Sequence, residues 1–114
     1  MNLRRLGATG LPVSVLGFGC GAIGGLLTRG DPQEQRGAIA IALAAGITYF
    51  DTAPLYGNGA SESNLGRMFA EMGGVPSGVV IGTKVRIDPA QANDAPVTIR
   101  ASIEESLEIG RAHV

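Results

Sequence analysis

Short apolar runs alternate along this chain with longer stretches in which apolar residues return every third or fourth position. Leu11-Pro12-Val13-Ser14-Val15 alternates apolar and polar residues, and Gly7-Ala8-Thr9-Gly10 before it reads as a turn. Residues 1–15 are therefore predicted to form a β-hairpin, with Pro12 on an edge. Leu16-Gly17-Phe18-Gly19 reads as a short buried strand. The period changes at Asp31. That residue suits an N-cap, Pro32 suits the first helical position, and Glu34 completes a capping box. Ala38, Ile41, Ala42 and Ala45 supply an apolar stripe at helical spacing, and Gly46 supplies a stop. Ile47-Thr48-Tyr49-Phe50 is the next strand, ending at Asp51. A second helix is predicted behind Ser61 as cap, with Glu62 in its first turn and Leu65, Met68, Phe69 and Met72 on its buried face. Gly73-Gly74 ends it. Val79-Val80-Ile81-Gly82-Thr83 then forms a strand that ends at Lys84, and residues 85–96 read as a polar loop. Ile99, Ile103 and Leu107 recur every fourth position, so a third helix begins near Val97, behind Pro96.

Strand, loop and helix thus follow one another three times, which implies a parallel sheet. Right-handed crossovers leave two common solutions, a doubly wound sheet or a barrel. In both, chemistry sits at the carboxyl ends of the strands. Asp51 and Lys84 stand at those ends, and Tyr56 lies in the loop beyond the first of them. One motif competes. Gly19-Cys20-Gly21-Ala22-Ile23-Gly24 matches the glycine fingerprint of dinucleotide-binding folds, whose glycines open a helix. Here Gly25, Gly30, Asp31 and Pro32 follow, so no long helix can run on from it. The stretch is read as a loop after the first barrel strand.

Composition narrows the class. Of 114 residues, 45% are apolar and 17% charged, so the chain wants a packed core. Its net charge of −1 offers no basic field for nucleic acid or an anionic membrane. The longest apolar run, residues 38–47, falls far short of the roughly 20 residues of a membrane span. Glycines and Pro12 break up the stretch after Arg4-Arg5, so no export signal is expected. The single cysteine, Cys20, cannot form an internal disulfide, which favours a reducing, cytoplasmic setting. No metal site is expected.

Asp51 and Lys84 end strands that are neighbours in sequence, so their side chains are placed to pair. A lysine ammonium beside a phenol favours release of the phenolic proton. That arrangement suits Tyr56 to protonating a carbonyl oxygen while a hydride reaches the carbon. The bland alternatives are a capping Asp, a solvated Lys and a Tyr that packs a turn.

Phe50-Asp51-Thr52-Ala53, Tyr56-Gly57, Ser61-Glu62 and Leu65-Gly66 together resemble the signature of the aldo/keto reductases. Leu6-Gly7-Ala8-Thr9-Gly10-Leu11, Leu16-Gly17-Phe18-Gly19 and Thr83-Lys84 are similar to that family's opening hairpin, first strand and lysine-bearing strand end. The resemblance covers nearly the whole chain. It implies a (β/α)8 TIM barrel, represented here by the N-terminal hairpin and about the first three βα units. It implies carbonyl reduction, or the reverse, with NADP or NAD on a small-molecule carbonyl or alcohol. Tyr56 would be the proton donor and Lys84 and Asp51 its electrostatic partners. Gly19, Cys20, Gly21 and Asp51 would border the nicotinamide end of the cofactor. A non-catalytic, nicotinamide-sensing subunit on the same barrel is the alternative.

A barrel of this type runs to about 250 residues, so the chain is expected to be the N-terminal part, over 1–108, of one such domain. The family's catalytic histidine ends the fourth strand. His113 comes too early to be that residue. Residues 109–114 are expected to be a non-native tail, since the peptide matches one reading frame of a common sequencing adapter. With only three barrel strands, the chain alone is expected to be marginally folded and inactive.

Overall fold

Three short parallel strands form the centre of the chain, described for residues 1–112 in a computed structural model. They are β3 (Phe18–Gly19), β4 (Tyr49–Asp51) and β5 (Val80–Gly82), in the order β3-β4-β5. Phe18 pairs with Phe50 and Gly19 with Asp51; on the other side Phe50 pairs with Ile81 and Asp51 with Gly82. Ahead of them β1 (Leu3–Arg5) and β2 (Pro12–Ser14) make the expected antiparallel hairpin around a 3-10 turn at Gly7–Thr9. The helices are α1 (Leu26–Arg29), α2 (Pro32–Ala44), α3 (Ala60–Glu71) and α4 (Ala95–Ala112). Two strand-to-strand crossovers therefore carry helices, as the alternation predicts. The result is an open arc, not a closed barrel.

Local chemistry explains most boundaries. Asp31 Oδ1 accepts from the backbone N–H of Gln33 at 2.8 Å and of Glu34 at 3.4 Å, so it caps α2 with Pro32 behind it. At the other end Gly46 takes φ 84°. Its N–H reaches Leu43 O, and that of Ile47 reaches Ala42 O. These two bonds are the Schellman closure that a left-handed glycine permits. The hairpin is tied on by a reciprocal pair, Ser14 N–H to Thr48 Oγ1 and Thr48 N–H to Ser14 Oγ, each at 2.9 Å.

Phe50 points from the middle of β4 into the core, and with period two Tyr49 and Asp51 point to the opposite face. The Phe50 ring stands 5.6 Å from those of both Phe18 and Phe69, edge-on to the latter. Leu27, Ile39, Leu65, Met68 and the Cys20 side chain close around it. The buried face of α2 is therefore Gln35, Ile39 and Ala42. Ile41, placed on the stripe by sequence, is 72% exposed. Ile39 and Ile41 both suit a helical period, but only Ile39 points at the sheet. On the far side of the core Arg36 and Arg67 clasp Glu71, linking α2 to α3.

Three further departures from the sequence reading have local causes. The glycine-rich loop after β3 holds one helical turn, α1, which Gly30 ends. Nothing there resembles the long helix that a dinucleotide fingerprint opens. The loop before α4 holds a 3-10 turn, Pro89–Asp94, capped by Asp88. On α4 the half-buried positions are Ala95, Thr98, Ser102 and Ser106, while Ile99, Ile103 and Leu107 are exposed. Helix α4 runs to Ala112; His113 and Val114 lie outside the described residues, as does the expectation placed on His113. Among the described residues no helix is long and apolar enough to cross a membrane, and no cluster of three or more His, Cys, Asp or Glu side chains is arranged to hold a metal.

Candidate active site

Asp51 is the last residue of β4, and Lys84 lies two residues beyond the end of β5. Because Asp51 pairs with Gly82, the parallel register brings both side chains to the same edge of the sheet. Lys84 Nζ donates to Asp51 Oδ1 at 2.9 Å, to Asp51 Oδ2 at 2.8 Å and to Thr52 O at 3.0 Å. An ammonium has three donors, and here all three are taken. Lys84, the only lysine of the chain, is thus a fixed positive charge rather than a mobile one.

Tyr56 closes the group. Its loop returns over the strand ends through Tyr56 N–H to Ala53 O and left-handed Gly57, Asn58 and Gly59. The phenol O–H donates to Asp51 Oδ2 over a long 3.4 Å, and Lys84 Nζ stands 4.7 Å from the ring centroid. That distance is within cation–π range. Partial burial pulls the Lys84 ammonium down, but the Asp51 carboxylate and the adjoining Tyr56 together outweigh it, and its pKa is raised above 10.5. The lysine therefore stays charged through the neutral range.

The three glycine-loop residues sit on the β3 side of this cluster. Gly19 is the register partner of Asp51, and a Cβ built there meets nothing within 4 Å. Gly21 lies against the Tyr56 ring, where a Cβ would stand 3.7 Å from it. Cys20 differs. It is buried, its Sγ–H points to Phe18 O at 3.8 Å, and its thiol is pushed up to about 12 by burial and then by the Asp51 charge, against a smaller opposite effect of Lys84. A thiol so held is neither a nucleophile nor a redox group near neutral pH. What Cys20 offers the site is its backbone: its N–H donates to Asp51 O at 2.9 Å and its carbonyl accepts from Ser61.

The buried support beneath the cluster escaped the sequence reading. Ser61 is not the cap of α3; Gly59 is, at φ 92°. Ser61 is fully buried, and its Oγ–H donates to Cys20 O at 2.8 Å. Its one proton is thereby used, so in the 2.8 Å contact with Thr52 Oγ1 the threonine is the donor. The relay Thr52 to Ser61 to Cys20 joins the end of β4, the start of α3 and the loop after β3. A Ser ahead of a Glu in a helix's first turn reads as a capping pair from sequence, and only the fold separates the two roles.

A sequence model described as the aldo/keto reductase family matches residues 15–111. The chain belongs to that family. It is 33% identical to an L-galactose dehydrogenase of Arabidopsis thaliana over 95% of its own length and 34% of that protein's. A probable voltage-gated potassium channel subunit beta, also from Arabidopsis thaliana, is 31% identical over 91% of this chain and 31% of its own. Among solved structures, the holo form of aldo-keto reductase AKR11C1 from Bacillus halodurans superposes with a TM-score of 0.75 at 29% identity, covering 97% of this chain and 37% of that one. The aldo/keto reductase chain described here spans about a third of the length of these relatives. Its three-stranded arc corresponds to part of their barrel.

Proposed function

We propose that this chain supplies the proton-donating half of a nicotinamide-dependent carbonyl reductase, acting on aldehydes or ketones or, in reverse, on alcohols. The observation that carries the reading is the meeting of Asp51, Lys84 and Tyr56 at one end of the parallel strands. Family membership supports it, and so do relatives named as dehydrogenases.

In this reading a carbonyl oxygen lies within reach of the Tyr56 hydroxyl. The phenol gives its proton to that oxygen as the carbon accepts a hydride, so the carbonyl becomes an alcohol. The Lys84 charge steadies the phenolate left behind, and Asp51 holds Lys84 in place. The cofactor's contribution, when bound, is the hydride. The residues present fit it: the open backbone at Gly19 beside Asp51 leaves room for a flat ring and Gly21 keeps the Tyr56 side free of a side chain; in this proposal Asp51 would meet the ribose. The proposal carries both NADP and NAD.

The experiment is a spectrophotometric assay of the intact protein that carries this segment, with reduced nicotinamide and a panel of aldehydes. Aldehyde-dependent loss of the reduced cofactor over many turnovers is expected. The channel-subunit relative favours a second reading, in which the barrel senses nicotinamide redox state. That reading gives tight cofactor binding with a single slow turnover in the same assay.

A further inference from the structure

Glu62 stands apart from the site, yet it is the most buried carboxylate of the described residues, 8% exposed, and no ion pair among them involves it. From sequence it reads as an acid complementing the α3 dipole. Its geometry is more specific. Oε1 accepts from Thr83 Oγ1 at 2.5 Å and from Ser106 Oγ at 2.9 Å. One oxygen thus gathers the first turn of α3, the extension of β5 and the middle of α4. Hydrogen bonds to a charged acceptor are shorter and roughly twice as strong as neutral ones, and both donors are neutral hydroxyls, so the carboxylate has no cation to exchange for water.

Thr83 immediately precedes Lys84. The segment after Gly82 has no strand partner of its own: β5 ends at Gly82, and residues 83–88 form no regular element. The Lys84 side chain must nevertheless reach back to Asp51 and Thr52 O. What fixes the backbone direction at that step is the Thr83 side chain, held on the α3 side by Glu62 while the next side chain turns to the Asp51 side. We infer that Glu62 is a positioning residue for Lys84, acting through the Thr83 hydroxyl. Its importance for catalysis rests on the proposed reductase function; the placement itself does not.

The test is read at Lys84, whose signal is assigned by its loss in Lys84→Arg. Reductive methylation with 13C-formaldehyde of the intact protein that carries this segment labels its lysines and its N-terminal amine. The Lys84 methyl resonance is expected to titrate above its ordinary 10.5. Glu62→Leu and Thr83→Val are each expected to lose most of that elevation, and Glu62→Gln, which keeps an accepting oxygen, to retain it. Ser106→Ala removes the other hydroxyl from the same carboxylate without touching the step to Lys84, and is expected to leave the titration in place. A merely structural role for Glu62 makes Thr83→Val and Ser106→Ala alike, which overturns the inference. A wild-type lysine that already titrates at its ordinary value overturns it too. Reductase activity enters none of these readouts, so failure of the proposed function and failure of this placement are separately visible.

Discussion

The Lys84 ammonium grips both oxygens of the Asp51 carboxylate, at 2.9 and 2.8 Å, across the edge of two parallel strands. The pair is about half exposed, so solvent screens it and its worth in stability is modest. Its pH dependence has a definite sign. Lys84 has a raised pKa in the folded state, so it contributes stability that is fully present below 10.5, its ordinary value, and is lost as pH rises through the higher folded value. Thermal unfolding of the intact protein that carries this segment, followed across the alkaline range, should show that loss in the wild type. Asp51→Asn should flatten it, and an unchanged alkaline profile in Asp51→Asn would show that the pair is not formed.

Ser61 gives a second prediction, because it is a buried junction rather than a helix cap. Ser61→Ala leaves the Thr52 hydroxyl and the Cys20 carbonyl without their partner, a cost of about 1–3 kcal/mol. Ser61→Asn distinguishes the two roles. Asn is as good a cap as Ser, but its larger side chain does not fit a site with no exposure. Denaturant midpoints should therefore fall further for Ser61→Asn than for Ser61→Ala. The reverse order would restore the capping role.

Helix α2 offers a matched pair. Ile39 is fully buried against the sheet and Ile41 is largely exposed. Ile39→Ala should cost about 2–5 kcal/mol, whereas Ile41→Ala should stay within about 0.5 kcal/mol. Equal effects in urea unfolding would mean that the helix is rotated from the placement described.

Tyr49 lies across β5 so closely that a Cβ at Gly82 would collide with its hydroxyl, and a Cβ at Gly17 would stand 3.2 Å from its ring. Gly82→Ala should therefore destabilise the chain by about 1–3 kcal/mol, the usual range for overpacking. Tyr49→Phe removes the colliding atom and should recover part of the loss. A double-mutant cycle measures that coupling, and additive effects would place the two residues apart.

What was legible in the sequence was local or periodic. Asp31-Pro32 and Gly46 mark the ends of α2 by cap chemistry that needs no tertiary context. The convergence of Asp51 and Lys84 was legible because parallel strands put their ends together whatever the helices do. Other features turn on packing. Choosing Ile39 over Ile41 needs the sheet's position, and the Ser61 relay needs the loop after β3 to come within hydrogen-bond reach of α3. Glu62 was visible only as an acid in a first turn, since Thr83 and Ser106 lie 21 and 44 residues away along the chain.

The central claim is that Tyr56 delivers the proton to a carbonyl oxygen. Its most direct test is the rate of aldehyde reduction by the intact protein carrying Tyr56→Phe, measured beside its affinity for the reduced cofactor. General acid catalysis contributes about 10²–10⁴-fold. The account predicts a fall in turnover of that order with cofactor binding nearly unchanged, whereas full turnover in Tyr56→Phe would contradict it.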